Sequence, residues 1–157
     1  MALATWWSPD PLPELPALPG FEAARAIDDT ALAGLNRLAV TQVQARRQSG
    51  HHPYVGLLDG TPVAYGWVAT REASIGELKV SFRLPPGFQG QGIYPQLLQA
   101  ILKQEALAAK HFWIIHAPEN TPSAGLCTCL WCAGYLGHPF GKSACCAQLN
   151  KPACRSL

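Results

Sequence analysis

Apolar and polar positions along the chain change period several times, and each change marks an element. In GELKVSFRLP (76–85), Leu78, Val80, Phe82 and Leu84 alternate with Lys79, Ser81 and Arg83, the period-two pattern of a half-buried strand. In PQLLQAILKQEALAAK (95–110) the period lengthens: Leu97, Leu98, Ile101 and Leu102 share one helical face, and Pro95 is tolerated in the first turn. YVGLL (54–58) and PVAYGWVA (62–69) are short apolar runs joined through Asp59-Gly60, which predicts a β-hairpin. Upstream, FEAARAI (21–27) reads as a strand. Asp28-Asp29-Thr30 offers N-cap chemistry to a helical run over 31–48, with Leu32, Leu35, Ala39 and Val43 on one face and Ser49-Gly50 as its stop. HFWIIHA (111–117) reads as a further strand, SAGLCTCLWC (123–132) as a short helix and KSACCAQL (142–149) as a last strand.

The expected order is β-α-β-β-β-α-β-α-β: an α/β (α+β) architecture with a mixed central sheet flanked by helices. Residues 8–20, SPDPLPELPALPG, hold five prolines and read as an extended lead-in. The expected division is therefore a proline-rich N-terminal lead-in over 1–20 and a single domain over 21–157. Trp6-Trp7 is expected to staple that tail onto the domain or onto a partner subunit.

Composition sets limits on partners. The 157 residues carry a formal net charge of +2, and Lys and Arg are too scattered to form a nucleic-acid stripe or a membrane-surface patch. No apolar run reaches the roughly eighteen residues of a membrane span, and the start MALATWWSPD lacks the basic and apolar regions of a secretory signal. A cytoplasmic protein is expected. All six cysteines lie between Cys127 and Cys154, unlike a secreted disulfide framework, so reduced thiols are expected.

The strand over 76–85 runs into PGFQGQGIYP (86–95), where Gly87, Gly90 and Gly92 precede a helix. Such a corner can relieve a turn, or it can turn backbone N–H groups and the positive end of a helix dipole toward an anion. A dinucleotide fingerprint needs G-x-G-x-x-G, which the glycine spacing does not supply. A P-loop needs Lys and Ser/Thr after its last glycine, and neither follows Gly92.

Gln89-Gly90-Gln91-Gly92-Ile93, after Leu84-Pro85-Pro86 and before a Leu-Leu helix, resembles the acyl-CoA-binding motif of the GNAT superfamily of N-acyltransferases, [R/Q]-x-x-G-x-[G/A]. Gln89 and Gly92 match, while Tyr94 stands where the family prefers Gly or Ala. Downstream, Asn120-x-x-Ser123 and Gly134-Tyr135 look like the family's N-x-x-[A/S] and closing G-F elements. The likeness runs from residue 21 to about 136.

The resemblance implies an acetyl-CoA-dependent N-acetyltransferase. Amides from Gln89 through Gly90, Gln91, Gly92 and Ile93 to Tyr94 would cradle the diphosphate of coenzyme A. Main-chain groups of Phe82, Arg83 and Leu84, on a strand that bulges and splays from its neighbour, would hold the pantetheine arm. Asn120 and Ser123 complete the cofactor side. The acceptor would be a small-molecule or peptide amine, and a homodimer is an assembly the family often uses.

Amine acetylation needs a proton acceptor. Glu77, on the strand leading to the corner, and His116, at the end of the next strand, are the two candidates. The family often protonates the leaving thiolate with a tyrosine seven residues after the Asn, and here that position is Cys127. A second reading is therefore a GNAT-fold module that binds coenzyme A without turnover. Cys129-x-x-Cys132 has metal-ligand spacing, with His138, Cys145, Cys146 and Cys154 downstream. No second paired motif follows, so buried thiols and no metal are expected. His51-His52 is expected in the loop entering the hairpin, and Trp67 and Trp113 within strands.

Overall fold

A computed structural model describes residues 2–69, 74–80, 91–117 and 119–121. Among them are six strands and three helices: β1 (Ala2–Trp7), β2 (Phe21–Arg25), α1 (Asp29–Asn36), α2 (Val40–Gln48), β3 (His51–Leu58), β4 (Thr61–Ala69), β5 (Ser74–Val80), α3 (Ile93–Glu105) and β6 (His111–His116). The strands form one sheet in the order β1-β6-β5-β4-β3-β2. Every neighbouring pair is antiparallel except β5–β6, which is parallel, so the sheet is mixed, as the element order predicts.

The β3–β4 hairpin closes through Asp59 and Gly60, whose φ values are 48° and 75°. Two consecutive positive φ angles define the turn whose twist matches paired strands, and Asp-Gly favours it. β3 begins earlier than expected: His51, His52 and Pro53 belong to the strand, opposite Ala69, Val68 and Trp67. The histidines are therefore not in a loop.

Alternation along β4 divides the core. Ala64 and Val68 join α3, Phe112 and Ile114 on one face. Tyr65 and Trp67 join Leu32, Ala33 and Val43 of α1 and α2 on the other. Helices thus cover both faces, and Leu97, Leu98, Ile101 and Leu102 of α3 are all fully buried.

The helix expected over 31–48 is two helices. Arg37 ends α1 in the left-handed region at φ 57°, and Leu38 N–H closes back on Ala33 O at 3.0 Å. α2 then starts afresh, with the Gln42 side chain accepting from Ala39 N–H at 2.9 Å. Arg47 ties the two together: Nε reaches Asp29 Oδ1 and Nη2 reaches Ala26 O, both at 2.6 Å. At the other end of the run, Asp28 Oδ1 accepts from Thr30 and Ala31 N–H at 2.8 and 3.0 Å, the predicted cap.

β1 has no counterpart in the sequence-based expectation. Ala2–Trp7 pairs antiparallel with β6 along its whole length, from Ala2 opposite His116 to Trp7 opposite His111. Trp6 is buried against Phe112, ring centroids 5.5 Å apart, whereas Trp7 is half exposed with its ring against His111. The lead-in expected over residues 1–20 thus contains an edge strand of the same sheet.

Candidate functional site

The glycine corner ends on a helix. Gly92 is the N-cap of α3 with φ 83°, a conformation that costs a side-chain-bearing residue roughly 1 kcal/mol or more, and no described atom lies within 4 Å of where a Cβ would stand. The first rung of the helical ladder is Gln96 N–H to Gly92 O at 3.1 Å, so the amides of Ile93 and Tyr94 precede it. Ile93 is buried in the α3 core, Tyr94 is half-buried and Gln91 is exposed. The helix therefore starts two residues before Pro95, and its N-terminal dipole end sits on a firmly packed body.

Two features of β5 describe the strand that precedes the glycine corner. Its register against β4 shifts between Trp67–Glu77 and Val68–Ile75, leaving Gly76 as the extra residue of a bulge. Its pairing with β6 is described at one point, Ser74 opposite Trp113. Glu77 and His116 lie beyond that point on the two strands, with the Gly76 bulge between Ser74 and Glu77. Asn120 follows β6 in a turn, its N–H donating to Ala117 O at 3.0 Å.

Trp67, the register partner of Glu77, is buried and fully engaged. Its Nε1 donates to Asn36 Oδ1 at 2.9 Å, Asn36 Nδ2 donates to Leu32 O at 2.8 Å, and the Arg46 guanidinium lies 5.3 Å from the ring centroid. Asn36 and Arg46 thus hold the ring of the residue that pairs with Glu77, although nothing in their spacing announces it. Phe82, Arg83, Leu84, Gln89, Gly90, Ser123 and Cys127 lie outside the described residues, as do the remaining cysteines and His138.

His52 is not near this corner. Its Nδ1 lies 2.8 Å from Glu105 Oε1, which also accepts from Tyr54 O–H at 2.6 Å. Glu105 closes α3, about 20 Å along the helix from Gly92. Burial first, then the hydrogen bond to Glu105, pushes the Tyr54 phenol well above its usual range. This is a structural cluster.

No family profile matches the sequence, and no curated protein matches it. Solved structures do. An aminoglycoside acetyltransferase, meta-AAC0020 from an uncultured soil metagenomic sample, superposes with a TM-score of 0.53 at 16% identity, over 67% of this chain and 83% of its own. RimL, a ribosomal L7/L12 alpha-N-protein acetyltransferase solved in complex with coenzyme A, gives 0.53 at 18% identity, over 71% and 78%. A Drosophila protein gives 0.60 at 18% identity over 85% of this chain, which spans 46% of that protein. The chain has the fold of the GNAT acetyltransferases. No helix among the described residues is long and apolar enough to cross a membrane.

Proposed function

We propose that this protein transfers an acetyl group from acetyl-CoA to an amine within a ternary complex. The observation that carries the reading is the start of α3: a left-handed glycine, with no described atom within 4 Å of where a Cβ would stand, caps a buried helix that follows the strand bulging at Gly76. That arrangement fits a diphosphate, which takes backbone amides and a helix N-terminus without a metal. The fold neighbours support acetyl transfer in general terms.

Bound acetyl-CoA would supply an activated thioester. Gln89 to Tyr94 would hold its diphosphate, Phe82, Arg83 and Leu84 its pantetheine arm, and Asn120 and Ser123 the remaining cofactor side. In the reaction the amine nitrogen bonds to the acetyl carbon, the carbon–sulfur bond breaks, the nitrogen loses a proton and the thiolate gains one. An alkyl ammonium has a pKa near ~10, so the amine must be deprotonated to attack at neutral pH. Glu77 and His116 are the proposed acceptors, directly or through water, because they lie on the two strands that pair in parallel at Ser74 and Trp113. A main-chain N–H near Leu84 would polarise the thioester carbonyl.

One observation favours a second reading, a module that binds coenzyme A without turnover: Cys127 stands where the family often has a tyrosine to protonate the thiolate. Thiol release from acetyl-CoA, measured with a panel of small-molecule and peptide amines, separates the two. Amine-dependent release above background hydrolysis supports the enzyme. Saturable binding of coenzyme A with no such release supports the module. The cytoplasm, where acetyl-CoA is available, is the proposed compartment, and a homodimer the proposed assembly to test by light scattering.

A further inference from the structure

The segment linking β1 to β2 crosses the whole sheet. β1 lies at one edge and β2 at the other, five strand spacings or about 24 Å apart, and the intervening residues 8–20 can reach roughly 40 Å when extended. Within it stand three Leu-Pro pairs at a spacing of three: Leu12-Pro13, Leu15-Pro16 and Leu18-Pro19. A polyproline II strand repeats every three residues, so the three leucines share one edge, and Leu12, Leu15 and Leu18 all pack against the α3 core.

A proline-rich strand offers carbonyls and few N–H groups, so donors must come from elsewhere. α3 provides them. Gln99 Nε2 donates to Pro13 O at 2.6 Å and Gln96 Nε2 to Pro16 O at 2.7 Å. Gln99 is buried, and its Oε1 accepts from Lys103 Nζ at 2.9 Å, so the amide is held on both sides. The ends of the strap are fastened too: Ser8 N–H donates to Lys110 O at 2.8 Å, and Asp59 N–H donates to Gly20 O at 2.9 Å.

We propose that this strap is a brace that fixes the N-terminal part of α3 against the sheet, with Gln96 and Gln99 as positioning residues for the proposed coenzyme A site at Gly92. β1 and β6 lie on one side of the parallel β5–β6 pair, and β2 to β5 on the other. The strap joins these two groups of strands on the outer side of α3 and bolts to the helix that begins at Gly92. The effect on coenzyme A rests on the proposed function, but the mechanical claim does not.

The test uses the full-length chain carrying Gln96→Met and Gln99→Met together, which keeps side-chain length and removes both donors. Hydrogen exchange followed by mass spectrometry and the dissociation constant of coenzyme A are both measured. The brace predicts at least tenfold faster exchange across residues 2–20 and the N-terminal part of α3, unchanged exchange in the β3–β4 hairpin, and at least fivefold weaker coenzyme A binding. Leu15→Ser loosens the strap from its own side and serves if the double variant does not fold. Faster exchange confined to residues 8–20, or spread evenly over the sheet, overturns the brace. So does unchanged affinity in a chain whose wild type binds coenzyme A. If the wild type binds none, the functional reading fails, and exchange in the N-terminal part of α3 alone decides the brace.

Discussion

The phenolic O–H of Tyr54 donates to Glu105 Oε1 at 2.6 Å, joining β3 to the last residue of the helix that Gly92 begins. Both residues are buried, and His52 Nδ1 shares the same carboxylate oxygen. Tyr54→Phe keeps the ring and removes the donor, so it should destabilise the protein by about 1.5–3 kcal/mol. A urea titration should show a lower midpoint with an unchanged slope.

The same residue gives the stability curve a sign at high pH. The folded phenol titrates well above its unfolded value of ~10, so between the two the folded state holds one more proton. Stability contributed by the neutral phenol is complete below ~10 and falls as pH rises above it, by at most about 1.4 kcal/mol per pH unit. Tyr54→Phe should remove that part of the decline. Melting temperatures of both proteins across the alkaline range measure it, and parallel declines would contradict the assignment.

The joint between the two helices on the opposite face rests on Asn36, which accepts from Trp67 Nε1 at 2.9 Å and donates to Leu32 O. Asn36→Ala leaves a buried indole N–H without an acceptor, at a cost of about 1–3 kcal/mol. Trp67 also faces position 77 in register, so the same variant should lower acetyl transfer beyond the stability loss, read at a temperature where the variant is fully folded.

How far such contacts were legible in the sequence varied with their reach. The Asp59-Gly60 turn, the Asp28 cap and the leucine face of α3 are local and were readable, because neighbours in sequence decide them. The break after Asn36 was not: the run over 31–48 has helical spacing throughout, yet Arg37 turns left-handed, and the Asn36 side chain is held by Trp67, 31 residues away. β1 was hidden for the same reason, since ALATWW has no alternation and finds its partner over a hundred residues later in β6. At the candidate site, the glycines marked Gln91 to Tyr94 and alternation placed Glu77 on a strand. The bulge at Gly76 and the flank of Trp67, Asn36 and Arg46 arise from pairing and packing that no motif encodes.

The two proposed bases separate by pH profile. With ordinary values near ~4.3 for Glu and ~6.5 for His, a His116 base gives an acidic limb centred near neutrality, lost in His116→Ala. A Glu77 base with an ordinary carboxyl leaves the rate flat down to about pH 5, and Glu77→Gln then lowers kcat by roughly 10²-fold or more. kcat/KM from pH 5 to 9 for both variants assigns the role, and full activity in both would remove it from both.

The claim on which the account depends is that the N-terminus of α3 receives coenzyme A. Its most direct test is a calorimetric titration of coenzyme A into the wild-type protein and into Gly92→Val, which forces a β-branched side chain into a left-handed cap at the start of the helix. Saturable wild-type binding, with affinity reduced at least a hundredfold in a variant that remains folded by circular dichroism, is the predicted result. Absence of wild-type binding, or equal affinity in the two proteins, would contradict it.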